Sequence, residues 1–165
     1  MTEEGRIMRV WARATIDSAG YDIKAEEDFS VIPGQDCKVS TSYRFTDDMD
    51  VRVRVAIPSS ISYVTDYNSK HVQWYNAELR LNTWYGMIVP RSGMGFKYGL
   101  RLKNTTGIID QGYRDPIQFV LQADTLCEVK KGERFAQLIF QPFGILAGEP
   151  EPTKERNGGL GSTGK

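Results

Sequence analysis

The window NTTGIIDQGYRD, residues 104–115, places a carboxylate, Asp110, behind two isoleucines and ahead of a Gln-Gly turn and a tyrosine. Apolar shielding raises a carboxylate's affinity for protons and makes it a stronger base than a solvated aspartate of pKa about 3.9. Asp110 is a candidate for activating a water molecule, and it also reads as an ordinary β-turn aspartate. A second window, PRSGMGF at 90–96, sets an arginine, a hydroxyl and two glycines after the apolar run MIV. Such a loop can turn backbone N–H groups, Ser92 and Arg91 toward phosphate oxygens, or it can be a plain Gly-rich turn.

Three further windows carry polar groups in telling places. SAGYDIKA, 18–25, holds Asp22 among apolar residues at an expected strand start, where it can serve a ligand or cap a turn. KKGERFAQLIF, 130–140, runs from a turn into an apolar strand carrying Arg134 and Gln137, and buried polar groups of this kind need partners. The C-terminal GGLGSTGK meets the GxxxxGK spacing through Gly159, Gly164 and Lys165, but a P-loop also needs a preceding strand, a following helix and a hydroxyl after the lysine. Without that context the segment is a flexible, phosphate-friendly tail in which Arg156 can supply charge.

The elements that must hold these residues are strands. Short stretches of alternating or β-branched character recur between Gly, Pro, Asn and Asp, the pattern of an all-β sandwich or barrel. VRVRVAI, 51–57, alternates most clearly and predicts a strand with one face on a core. Strands are also predicted over 38–45, 84–89, 117–122 and 135–140, with turns at PG, NTTG and KKGE. The aromatic-rich stretch 47–83 is long for a connection and predicts a hairpin of its own. One domain over 1–145 and a mobile Gly- and Pro-rich tail over 146–165 account for the length.

Composition narrows the classes. Lys and Arg number 21, as do Asp and Glu, so no overall field draws in nucleic acid, and any anion is bound locally. A nucleic-acid-binding β-barrel is disfavoured for the same reason. No stretch of about 18 apolar residues predicts a membrane span. Two lone cysteines, one histidine and no CxxC spacing make a zinc site improbable and fit a reducing, cytoplasmic setting, or a host's cytoplasm for a viral chain. A metal acting here would be a hard ion held by oxygen.

Taken together, AGYD, PRSG, GIIDQGYR, GERFAQL and GGLGSTG stand in the order and placement of the five motifs of homotrimeric dUTPases, so the chain resembles that family over nearly its whole length. The resemblance implies an all-β, distorted jelly-roll-like barrel subunit, three of which share three active sites. It implies hydrolysis of dUTP to dUMP and pyrophosphate with Mg2+, keeping uracil out of DNA and supplying dUMP. By motif, Asp110 deprotonates the water that attacks the α-phosphorus. Asn104, Gly107, Ile108 and Ile109 hold uracil, and Tyr113 lies against the deoxyribose and excludes a 2′-hydroxyl. Arg91, Ser92 and Gly93 bind phosphate oxygens, Gln137 contacts the nucleotide, and Asp22 holds magnesium through its water shell, while Arg134 is structural. Arg156, Leu160, Gly161, Ser162 and Thr163 belong to a lid that closes over the triphosphate of a neighbouring copy.

Three departures from the family pattern stand out: Leu160 where a phenylalanine usually stacks on the base, Asp115 where glycine usually follows YR, and the 47–83 insertion, which suits a phage or viral enzyme and a possible protein partner. The rivals are a dCTP deaminase-like enzyme, which needs a catalytic glutamate in place of the Asp-Tyr pair, and a regulatory protein of the same fold acting through the insertion. A leucine cannot stack as a ring does, so Leu160→Phe is expected to lower KM for dUTP in steady-state kinetics. An unchanged or higher KM would count against a lost stacking contact.

Overall fold

The structure is a computed structural model that describes residues 11–15, 17–58 and 74–150. In chain order its strands are β1 (Tyr21–Lys24), β2 (Phe29–Val31), β3 (Cys37–Ser40), β4 (Arg52–Pro58), β5 (Trp74–Arg80) and β6 (Trp84–Pro90). A short helix, α1 (Ser92–Tyr98), precedes β7 (Arg101–Leu102), β8 (Gly107–Asp110), β9 (Gln118–Gln122), β10 (Cys127–Val129) and β11 (Arg134–Pro142). They form a four-stranded sheet of order β1-β11-β6-β8, a three-stranded sheet β3-β9-β7, and the pairs β10-β2 and β4-β5. The all-β, jelly-roll-like class is therefore as expected, but no sheet among the described residues closes into a barrel.

The four-stranded sheet positions most of the candidate residues, and its sequence explains why. WYGMIVP in β6 alternates so that Trp84, Gly86 and Ile88 are buried while Tyr85, Met87 and Val89 lie half-buried on the other face. Antiparallel pairing sets Leu138 opposite Ile88 and Phe140 opposite Gly86, so the inward rows of β6 and β11 meet in one core. Phe45 joins that core from outside the sheet, with ring centroids 5.1 Å from Trp84 and 5.7 Å from Phe140. Phe135, Ile117, Leu121, Val31 and Val129 complete it. Each such fully buried side chain contributes about 1.5–3 kcal/mol of transfer free energy.

Sequence and structure part in three places. The strand expected over 38–45 ends at Ser40, where pairing turns irregular: Thr41 N–H donates to the Ile117 carbonyl (3.1 Å), Ile117 N–H to the Tyr43 carbonyl (2.8 Å), and Ser42 N–H to Glu26 Oε1 (2.8 Å). Thr41, Tyr43 and Phe45 still point inward, and Thr41 Oγ1 donates to the Ile117 carbonyl at 2.9 Å. The loop expected at PRSGMGF is helical from Ser92 onward, and the helix stops where Gly99 adopts φ 65° and its N–H returns to the Gly95 carbonyl. Third, the core face expected along 51–57 is not continuous: Val51 is buried but Val53 is exposed. The hairpin expected in 47–83 is present as β4 paired antiparallel with β5.

Gly86 marks where the core is tightest, since a Cβ there would lie 2.6 Å from Phe45 Cζ and 2.7 Å from Leu138 Cδ1. Overpacking of this kind costs about 1–3 kcal/mol, so Gly86→Ala should lower the thermal unfolding midpoint by several degrees. A midpoint equal to that of the wild type would show that Phe45 yields freely.

Candidate active site

Asp110 ends β8, whose pairing with β6 sets Asp110 opposite Tyr85, Ile109 opposite Gly86, Ile108 opposite Met87 and Gly107 opposite Ile88. Alternation sends Ile109 toward the core and leaves Ile108 (56% exposed) and Asp110 on the outer face. The apolar shield expected around Asp110 is thus not supplied by its two isoleucines within one chain. Gly107 is required by close approach, because a Cβ there would meet Ile88 Cβ at 3.2 Å.

The hairpin entering β8 carries strain. Thr105 sits at φ 65°, a left-handed conformation that costs a β-branched residue dearly, and it is held by its N–H on the Leu102 carbonyl (3.0 Å) and its hydroxyl on the Asn104 carbonyl (2.6 Å). Beside this hairpin lies a pocket of about 420 Å3 lined by Asn104, Gly107, Ile108 and Ile109 together with Lys103 and Phe119. The four residues assigned together to uracil from the sequence line this one cavity. Its mixture of aliphatic walls and strand-edge amides suits a flat, partly polar ring.

Tyr113 closes the turn after Asp110 with its N–H on the Asp110 carbonyl at 2.9 Å. Its ring is buried, 6% exposed, and the phenol donates to the Pro116 carbonyl at 3.1 Å. Burial, followed by the charge of Asp115, raises its pKa above the ordinary phenol value, so it stays a neutral donor. Asp115 itself is exposed.

At the far end of β6 a second cluster forms. Asp22 on β1 is 8% exposed, and both its oxygens are engaged: Arg91 Nη1 donates to Oδ1, and Arg134 Nη1 donates to Oδ2 at 3.3 Å. The two guanidiniums keep an exposed edge, 30% and 46%, and line a pocket of about 530 Å3 with Ser92 and Gly93. Arg91 is anchored by its own N–H on the Phe135 carbonyl (3.0 Å), and the first-turn amides of Ser92 and Gly93 have no acceptor within α1. Gln137 pairs with Asp22 across β1 and β11, and its amide fills the space a Cβ on Gly20 would occupy.

The sequence reading placed Arg134 as structural. It does brace Asp22, yet it also lines the anion-friendly pocket beside Arg91, a role that no local pattern in GERF discloses. Arg156, Leu160, Gly161, Ser162 and Thr163 lie outside the described residues.

Among the described residues no three His, Cys, Asp or Glu side chains gather as a metal cage. Asp22 is the one buried acid among them, and a carboxylate offers about four lone-pair positions, of which the guanidiniums take two. With the side chain 8% exposed and two arginines on it, the lone pairs left over could meet a hard ion only through water.

Comparison with known proteins agrees with this architecture. Residues 59–164 match the dUTPase family model. The deoxyuridine 5′-triphosphate nucleotidohydrolase of Histophilus somni (strain 2336) is 33% identical over 161 residues, covering 92% of this chain and 85% of that protein. The enzyme of the same name from Paramecium bursaria Chlorella virus 1 is 32% identical, covering 92% and 87%. A dUTPase from phage phi11 of S. aureus, described with a structural Mg(II) ion, superposes with TM-score 0.56 at 17% identity, covering 92% and 93%, and shares the fold. With five motifs in order, a matched family model and relatives aligned over nearly the full length, the chain belongs to the dUTPase family.

Proposed function

We propose that the protein hydrolyses dUTP to dUMP and pyrophosphate, with Asp110 activating the water that attacks the α-phosphorus. The observation that carries this reading is the gathering of Asn104, Gly107, Ile108 and Ile109 around one pocket, with Asp110 next in the strand. Strand-edge amides matched to uracil leave unpaired groups when cytosine enters, and close walls reject a 5-methyl group. Tyr113, buried beside the turn after Asp110, is assigned the sugar side, where its ring would exclude a 2′-hydroxyl.

Phosphate binding falls to Arg91, Ser92 and Gly93, with Gln137 reaching the nucleotide from the neighbouring strand and Asp22 holding Arg91 in place. Magnesium, reached by Asp22 through water, would neutralise charge on the triphosphate. Arg156 and the segment Leu160, Gly161, Ser162 and Thr163 act as the lid over that triphosphate, and 146–165 as the tail that delivers it.

The active sites are shared in a homotrimer. Support comes from the chain beyond β6, where Arg91 stands six residues past Tyr85, the partner of Asp110, a separation of about 20 Å at strand rise. The two pockets share no lining residue. In this reading one nucleotide meets Asp110 from one copy and the arginines of another. The half-buried outer face of the sheet, with Met87 between Ile108 and Ile139, offers an apolar surface for such contact.

Pyrophosphate release from dUTP, dTTP, dCTP and UTP tests the assignment. Wild type should cleave dUTP far faster than the others, and Asp110→Asn should lose roughly 10²–10⁴-fold in kcat. Equal cleavage of dTTP, full activity of the asparagine variant, or ammonia release from dCTP would overturn it. Arg91→Lys keeps the charge but loses the forked donor; losing one charge-assisted hydrogen bond, worth about 1.5–3 kcal/mol, should raise KM for dUTP roughly tenfold or more. Light scattering should report three times the chain mass, and a monomeric active enzyme would refute the shared site.

A further inference from the structure

The turn that follows Asp110 is tied to both ends of the 47–83 segment. At the downstream end Gln111 bridges two groups in the amide orientation that satisfies both: it donates to the Asn82 carbonyl and accepts from Trp84 Nε1, each at 3.2 Å. At the upstream end Arg114 Nε donates to Asp47 Oδ1 at 2.8 Å, with Nη2 2.7 Å from the same oxygen. The third nitrogen, Nη1, donates to the Gln111 carbonyl at 2.7 Å. One guanidinium thus fastens the turn to itself and to the first residue of the segment.

The segment is in turn clamped at its base. Arg52 and Arg80 sit directly opposite each other across β4 and β5, where like charges repel. Asp50 accepts from Arg52 Nε at 2.8 Å and lies 3.4 Å from Arg80 Nε, so one carboxylate bridges the two cations and reduces their repulsion. The Leu81 N–H adds a bond to the Val51 carbonyl at 2.8 Å. The ribbon's root therefore behaves as one unit, and that unit grips residues 111 and 114 on either side of the Asp110 turn.

Exposed ion pairs contribute little to global stability, so the value of the Arg114–Asp47 pair lies in position. We propose that the root of the 47–83 segment, residues 47–52 and 80–83, is a positioning element for Asp110, acting through Gln111 and Arg114. Among the described residues the segment shares no ladder with another sheet; Val51 is buried in the core with Met49 and Leu81 packed against it, and the Gln111 and Arg114 ties are its polar routes to the Asp110 turn. The proposal rests on the reading of Asp110 as the water-activating base.

Asp47→Asn, Arg114→Gln and the double variant test it by two readouts, dUTP turnover and amide hydrogen exchange at Gln111–Tyr113. Each single variant should lower kcat about three- to tenfold with KM and thermal midpoint unchanged, and the double should be no worse than the worse single, because the pair acts as a unit. The Tyr113 amide, bonded to the Asp110 carbonyl, should exchange several-fold faster in each variant, while β9 amides keep wild-type rates. Additive losses in kcat, an effect confined to KM, or an unchanged Tyr113 exchange rate would overturn the proposal. Should wild type fail to cleave dUTP, the base assignment falls, and the exchange rates still decide whether the segment holds the turn.

Discussion

The antiparallel register of β6 is the constraint on which the other features depend. Its outward row carries Tyr85, Met87 and Val89, and its partners β8 and β11 are locked to it by the burial of Trp84, Gly86 and Ile88. Because side chains alternate with period two, a slip of one residue in β8 would turn Asp110 and Ile108 inward and expel Ile109. The core therefore enforces the outward presentation of Asp110. Gly86 and Gly107 serve this ladder by leaving room, the one for Phe45 and Leu138, the other for Ile88.

The same strand hands the chain on to Arg91, where electrostatics replaces packing as the organising force. With no net charge to concentrate an anion, the protein builds a local excess: one buried carboxylate holds two guanidiniums side by side. Both arginines keep an open edge, so the attraction that fixes them does not use up their donors. Losing either partner would leave Asp22 buried with less compensation, which explains why the polar group sits where two strands and a helix start converge.

Between these poles lies a hairpin that is strained and a turn that is tethered. Thr105 holds a left-handed conformation against its own preference because bonds to Leu102 and Asn104 over-determine it. The turn after Asp110 is placed by the buried ring of Tyr113 and by polar ties reaching Asp47, Asn82 and Trp84. A stiff hairpin before the carboxylate and an anchored turn after it define its position from both sides. Preorganisation of that kind is what general-base chemistry needs, since small misplacements are costly.

The sequence by itself determined the all-β class, five of the strands, the β4–β5 hairpin and the family, because alternation, turn residues and ordered motifs are local signals. It did not disclose β2, β7 and β10, which span two or three residues and are too short to show a period. The helix in PRSGMGF was hidden because its stop depends on Gly99 packing where a Cβ would strike Asp124. Taken alone, the window around Asp110 favoured a plain turn aspartate, and only its companions in order gave it a role. Tertiary structure decided the rest: that Asp22 braces Arg91 and Arg134 across separations of 69 and 112 residues, and that Arg114 reaches Asp47 across 67. Such pairings have no local signature, because their partners are chosen by where the folded strands bring them, after the core has set the register.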